Sequence, residues 1–410
     1  MTAEVVIMNQ GAVAMAADSA VTIRLPNGDK KIYNSANKLF ALSKYHPVGI
    51  MVFNNAKLLG LDWEIIIKQY RKQLQRRKFN TIHDYYENFI EYLNGESIFS
   101  NEVKRQSIVS DIKGIINMLA TEFGKKTAEA EKIGKKLSTE EGKQLLKETL
   151  FEILESVKDD TILNCTYEQF VEKYNSNIED ILASDVANID EALKELVKKC
   201  CYHVLSSPAN TIHYTGVVIA GYGEEQLFPA MTVFLISGLG EGFTLSSIMK
   251  EYAISFDKKG ILVPFAQSEM ISSFMDGIDP EFNKFVFEQL EIIFTEITSI
   301  IPLAQSQIND IYEAFKDTLK TCKQKYFVSP IVGIIESLPK NDLAEMAESL
   351  VNLTAFKRHV SPDAETVGGP TDVAIISKTD GFIWKKRKHY FDPALNQQFF
   401  EKYYMEECNE

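Results

Sequence analysis

Residues 1–22 read MTAEVVIMNQGAVAMAADSAVT, and their pairing decides how the rest of the chain is understood. Two short apolar runs, 2–8 and 12–18, flank Asn9-Gln10-Gly11. The pattern predicts a hairpin with a three-residue loop, in which Gly11 takes the left-handed position. That loop pairs Met8 with Ala12 and, carried on antiparallel, Thr2 with Asp18. A slip of one residue places Ser19 or Ala17 opposite Thr2 instead. On one face the second strand offers Ala12, Ala14, Ala16 and then Asp18, small residues followed by a carboxylate. Thr2 becomes the first residue once Met1 is trimmed, and it then carries a hydroxyl and a free amine on adjacent carbons.

Residues 35–56 read SANKLFALSKYHPVGIMVFNNA. Alternation puts Lys38 on the face of Phe40 and Leu42, pointing inward. A buried ammonium is costly unless it is paired, and Asp18 is the candidate partner.

Further along, three textures follow one another. Strand-like residues 1–56 give way to a Lys/Glu/Leu/Ile-rich helical stretch, 57–204, with Leu58, Leu61, Ile65, Ile66 and Tyr70 on one stripe. Strand texture returns in 205–390, and 391–410 form a tail. Asp279-Pro280 predicts an N-cap and first helical residue. The helix that follows carries Phe282, Phe285, Leu290, Ile293, Phe294, Ile297 and Ile301 on one side, and Pro302 should kink or end it. GLGEG (238–242) reads as a hairpin turn. DVAIISKTDGFIWKK reads as a closing hairpin turning at Thr379-Asp380-Gly381. The run KKRKH (385–389) reads as a solvated strand end. Strands, helices and strands in this order predict an α+β fold with a helical insertion.

Composition excludes several classes. Among 410 residues, 45% are hydrophobic and 25% charged, with a net charge of -13. An acidic surface argues against nucleic acid and anionic membranes as partners. No apolar run approaches the roughly 20 residues of a membrane helix, and no signal peptide is read. The five cysteines lack framework spacing, which points to reduced thiols in the cytoplasm. No HExxH, zinc spacing or GxSxG elbow occurs, so no metal or cofactor is expected.

GAVAMAADSAVT, a lysine about twenty residues later and then GIMVFNNA resemble the opening of a proteasome β-type subunit. The peptidase subunit of the bacterial ATP-dependent proteasome-like protease shares the pattern. Both are N-terminal nucleophile (Ntn) hydrolases, so the resemblance implies a four-layer αββα sandwich, here with a large helical insertion. It also implies catalytic roles for Thr2, Asp18 and Lys38. The family's oxyanion glycine falls at Phe53 or Asn54, with Ser19 and Thr22 beside the substrate. VGGPTDVAIISKTDGFIW resembles the family's Gly-Gly strand and closing hairpin. The aspartate and serine that precede it there are Ala364 and Val367 here, so Asp363 or Glu365 substitutes only in a shifted register. The other family serine falls near Ser268. A homo-oligomeric ring, a peptide or amide substrate, and an ATPase or other protein partner docking through 57–204 are implied as well.

The chemistry follows from the residue types. A threonine hydroxyl needs a base. An α-amine with pKa about 7.7–8.0 is partly neutral at physiological pH and sits on the same residue. Lys38 would lower the pKa of amine and hydroxyl, and Asp18 would hold Lys38. The expected function is amide hydrolysis, as a threonine peptidase, through an acyl-ester. The alternatives are a small-molecule amidase or acylase on the same fold, and a catalytically silent structural or interaction subunit.

Overall fold

The computed structural model describes residues 3–24, 30–132, 137–157, 165–185, 189–206, 214–300, 305–361 and 367–405. The chain opens with strands β1 (Ala3–Asn9), β2 (Val13–Ala17), β3 (Val21–Arg24) and β4 (Lys30–Tyr33). Next come β5 (Leu39–Ala41), β6 (Val48–Phe53), β7 (Lys57–Leu58) and β8 (Leu61–Asp62). Helices α1 (Trp63–Leu74), α2 (Ile82–Asn94), α3 (Asn101–Lys132), α4 (Thr139–Ser156), α5 (Tyr167–Asp185) and α6 (Glu191–Ser206) follow. Strands resume as β9 (Thr215–Gly221), β10 (Ala230–Gly240), β11 (Phe243–Ala253) and β12 (Gly260–Ala266). A second helical run holds α7 (Glu269–Asp276), α8 (Pro280–Ile300), α9 (Gln305–Lys323), α10 (Ser329–Ser337) and α11 (Lys340–Val360). The chain closes with β13 (Asp372–Ser377), β14 (Gly381–Lys386) and α12 (Gln397–Met405).

The fold is α+β, with two five-stranded antiparallel sheets ordered β12-β1-β2-β13-β14 and β11-β10-β9-β6-β5. Strand alternation sorts side chains by face. Val6, Met8, Val13 and Met15 meet Met51, Phe53 and Val218 between the sheets. Val5, Ile7, Ala14 and Ala16 turn the other way and pack on Leu343, Ala347, Leu350 and Val351 of α11. That helical stripe recurs every three or four residues, and the alanines of β2 let it approach closely. Ile50, Val52, Val217 and Ile219 on the outer face of the second sheet bury Trp63, Ile66, Tyr85 and Phe89 of α1 and α2. Helices therefore cover the outer face of each sheet, and each large apolar side chain buried contributes about 1.5–3 kcal/mol. Gly49 marks how tightly the sheets meet, since a Cβ there would lie 2.8 Å from Ile376 Cδ1.

The helical stretch divides in two. α1 and α2 share the core of the second sheet. α3 to α6 enclose a core of their own, with Ile108, Ile112, Phe170, Tyr174 and Val197, and only Phe243 and Leu245 of β11 join it from the sheet. Among the described residues no helix is long and apolar enough to cross a membrane.

The expected hairpin register is corrected. Met8 pairs with Val13 and Glu4 with Ala17, and the loop has two residues, because Asn9 N–H bonds the Ala12 carbonyl at 3.0 Å. Asn9 causes the shift: its Oδ1 accepts from the N–H groups of Gly11 (2.9 Å) and Ala12 (3.1 Å), an Asx turn. Gly11 is not left-handed. Asp279 does start α8, accepting from Glu281 and Phe282 N–H; Ile301 and Pro302 lie outside the described residues. Phe282, Phe285, Ile293 and Ile297 of its stripe are exposed. Of GLGEG, Gly238 to Gly240 end β10 as paired residues, and Glu241-Gly242 form the turn into β11. The closing hairpin forms one residue out of the expected turn, with Gly381 already paired to Ser377.

Candidate active site

Asp18 is the first residue past β2, where the chain leaves the first sheet. Its carboxylate is buried and fully engaged. Oδ1 accepts from Lys38 Nζ at 2.5 Å and from Ala3 N–H at 3.1 Å. Oδ2 accepts from Gly368 N–H at 3.0 Å and from Ala20 N–H at 3.2 Å. Asp18 N–H returns a bond to the Ala3 carbonyl at 3.1 Å. Ala3, not Thr2, thus stands opposite Asp18. Thr2 itself lies outside the described residues, as does Asp363.

Lys38 precedes β5 in the second sheet, with its side chain only 6% exposed. As burial of an ammonium demands, it forms an ion pair, and the pair ties the two sheets together. Its carbonyl accepts from Val52 N–H at 2.9 Å, which brings the end of β6 alongside. Phe53 and Asn54 lie there. The Phe53 ring turns inward, over Gly216 and 5.4 Å from Phe265. Asn54 adopts φ 73, a left-handed backbone that suits glycine and, among other residues, asparagine best. Its Nδ2 donates to the Tyr214 carbonyl at 2.8 Å.

The Gly-Gly segment reaches the same place. Besides the Gly368 bond to Asp18, Ser19 N–H donates to the Gly368 carbonyl at 3.1 Å, and Ser19 Oγ donates to the Pro370 carbonyl. Ser19 is therefore a structural staple, its hydroxyl committed to backbone. Gly369 has φ 76 and sits against Asn34. Val367 is buried with Val5 and Val351. Ser268 lies at the start of α7, two residues beyond Ala266, the partner of Ala3. Its side chain makes no capping bond, and Ala266 holds a strained φ of 60. Thr22 sits apart, in the two-stranded β3–β4 ribbon. Its Oγ1 is enclosed, with no hydrogen-bond partner among the described residues.

One member of this neighbourhood was missed by sequence reasoning. Lys388, taken for part of a solvated strand end, is 10% exposed, and its Nζ is paired with Asp372. Its backbone N–H also donates to Asp372 Oδ1 at 2.8 Å. Burial lowers the pKa of the ammonium, the Asp372 bond and charge raise it, and Lys38 and Asp18 act on it as well. The signal in sequence was the apolar run: Asp372 begins a buried strand whose next four residues, Val373 to Ile376, are apolar on both faces, so an aspartate there needs a cation.

No group of three or more histidine, cysteine, aspartate or glutamate side chains among the described residues is arranged to hold a metal ion. The described cysteines are free thiols, Cys165, Cys200 and Cys201 buried and Cys322 exposed. Among known proteins, no family model matches the chain and no curated protein matches it.

Proposed function

We propose that the chain is an N-terminal nucleophile amide hydrolase, a threonine peptidase acting through Thr2 after Met1 is removed, on the four-layer αββα frame of that class. The observation that carries this reading is the Asp18 carboxylate, which holds Lys38 Nζ and the N–H of Ala3 on the same oxygen. Ala3 is the residue covalently joined to Thr2, so the ion pair adjoins the proposed nucleophile.

In this reading the Thr2 amine takes the proton of its own hydroxyl, directly or through one water, and Oγ attacks the amide carbonyl. The Lys38 cation favours the deprotonated forms of both groups. The N–H of Phe53 or Asn54 stabilises the oxyanion, a contribution of about 3–4 kcal/mol per donor in comparable sites. The amine then protonates the leaving group, and water hydrolyses the acyl-ester. The reading includes a peptide substrate, a cytoplasmic setting and a homo-oligomer, and a monomer by light scattering in dilute solution would count against the last.

A catalytically silent subunit is the second reading, favoured by Val367, which is buried and apolar where the resembled family has a serine. The test separates them. Active protein should be one methionine short in intact mass. Thr2→Ala should abolish hydrolysis of a peptide and acyl-amide panel with the fold intact, and Thr2→Ser should keep part of it. Met1-retaining protein that hydrolyses as fast as trimmed protein would sink the mechanism.

A further inference from the structure

We propose that Asp372 and Lys388 are a positioning pair for Asp18 and Lys38: Lys388 neutralises a second buried carboxylate at this end of the sheets and leaves Asp18 as the carboxylate of Lys38. The functional side of this inference rests on the hydrolase reading above.

The geometry supports it from several directions. Asp372 pairs with Ala17, the residue before Asp18, so the two aspartates lie at the adjoining ends of neighbouring strands. Ala374 and Ile376 face the space between the sheets, and alternation puts Asp372 on that face too. The Asp372 carboxylate grips Lys388 at both backbone N–H and Nζ. This fixes the ammonium where it acts on Lys38 and Asp18. Without Lys388, Asp372 would be a second anion drawing on Lys38. Without Asp372, the Lys388 ammonium would lose its bonded carboxylate while still acting on Lys38 and Asp18.

Other charged side chains lie near the pair. Glu4 of β1 stands in one row with Ala17 and Asp372 and is fully buried. Lys386 is paired with Glu348 at 2.5 Å, and Arg387 lies over the Trp384 ring. Arg387 also acts on Glu64 of α1, which accepts from Asn37 at 2.9 Å. His389 rests against Phe391. Among these side chains, Asp372 is the carboxylate that Lys388 holds.

The test reads Lys38 itself. Full-length protein labelled with carbon-13 at the lysine ε position is titrated by NMR, with the Lys38 signal assigned by its loss in Lys38→Arg. Lys388→Met should raise the Lys38 midpoint and Asp372→Asn should lower it, each by roughly half a unit or more. The double variant should return toward the parent value, and Lys388→Arg should leave it in place. Lys388→Gln, which keeps a donor for Asp372, replaces Lys388→Met if the latter does not fold. Shifts of the same sign, or no shift, overturn the proposal, as does a double variant that folds when neither single variant does. Opposed shifts in protein without hydrolytic activity would leave this coupling standing and sink the hydrolase reading. Hydrolysis without the shifts would do the reverse. In active protein, the pH profile of kcat/KM should move with the same signs.

Discussion

Replacing Asp18 by alanine should be among the most damaging single changes in the sheets, and more damaging than removing its partner. The 1% exposed carboxylate accepts from Lys38 Nζ and from the N–H groups of Ala3, Ala20 and Gly368. Asp18→Ala strands all of them in the interior. Breaking a buried ion pair from one side costs about 3–5 kcal/mol. Lys38→Met is milder, because the carboxylate keeps its backbone donors; the expected cost is about 1–3 kcal/mol. If the chain melts as one unit, the Asp18→Ala loss lowers Tm by roughly 4–6 °C, and by more if the sheets melt as a smaller unit. Urea denaturation can be followed through the two tryptophans. Trp63 lies in the core under the second sheet and Trp384 on β14 of the first. Trp→Phe variants separate the two signals. Equal costs for the two substitutions, or a cost under about 1 kcal/mol for Asp18→Ala, would refute the reasoning.

Other changes follow from local geometry. Gly369→Ala combines φ 76 with a Cβ 2.8 Å from Asn34 Cβ; it should cost about 2 kcal/mol or more in urea denaturation. Asn54→Gly should stay within about 0.5 kcal/mol of the parent while Asn54→Val loses about 1–2, since a β-branched residue resists the left-handed backbone. His83 bonds Glu251 at 2.7 Å across α2 and β11, and that bond raises the imidazole pKa above 6.5. Its stabilisation is therefore complete below pH 6.5 and lost as pH rises through the higher folded value. For so exposed a pair, His83→Gln should cost about 0.5 kcal/mol on the acid side and nothing on the alkaline side, read as paired Tm measurements.

Much of this was legible because strand alternation is a strong signal. Lys38 on the Phe40 side had to be buried and had to find an anion, and the Asp18 carboxylate is where it ended. The register was not legible. A three-residue loop with Gly11 and a two-residue loop closed by Asn9 fit the same letters, and the Asn9 side chain chose between them. Its Nδ2 also bonds the Ile335 and Leu338 carbonyls at 2.9 Å, partners more than 300 residues away that no local pattern reveals. The helical stretch hid its division for a similar reason. α1 and α3 share a Lys/Glu/Leu/Ile texture, and only contact with β6 and β9 makes α1 part of the sheet core. Lys388 was obscured by its neighbours, because a run of five basic residues reads as surface until one of them meets a buried aspartate.

The two ends of the first sheet differ in how they carry charge. At the Asn9 end the ion pair is Lys340 with Asp380, 42% and 53% exposed, and water bears most of the cost of charge. At the Ala3 end, Asp18, Lys38, Asp372 and Lys388 have side chains no more than 10% exposed. A fold gains little from such groups, since apolar replacements of buried pairs are often neutral or stabilising. The same end holds Asn54 and Ala266, both left-handed without being glycine. Strain and buried charge, each unfavourable alone, thus coincide where β1 begins, next to the one residue that Met1 removal would convert into a free amine and hydroxyl. Under the proposed reading, the buried pairs at this end serve to hold a cation near the nucleophile.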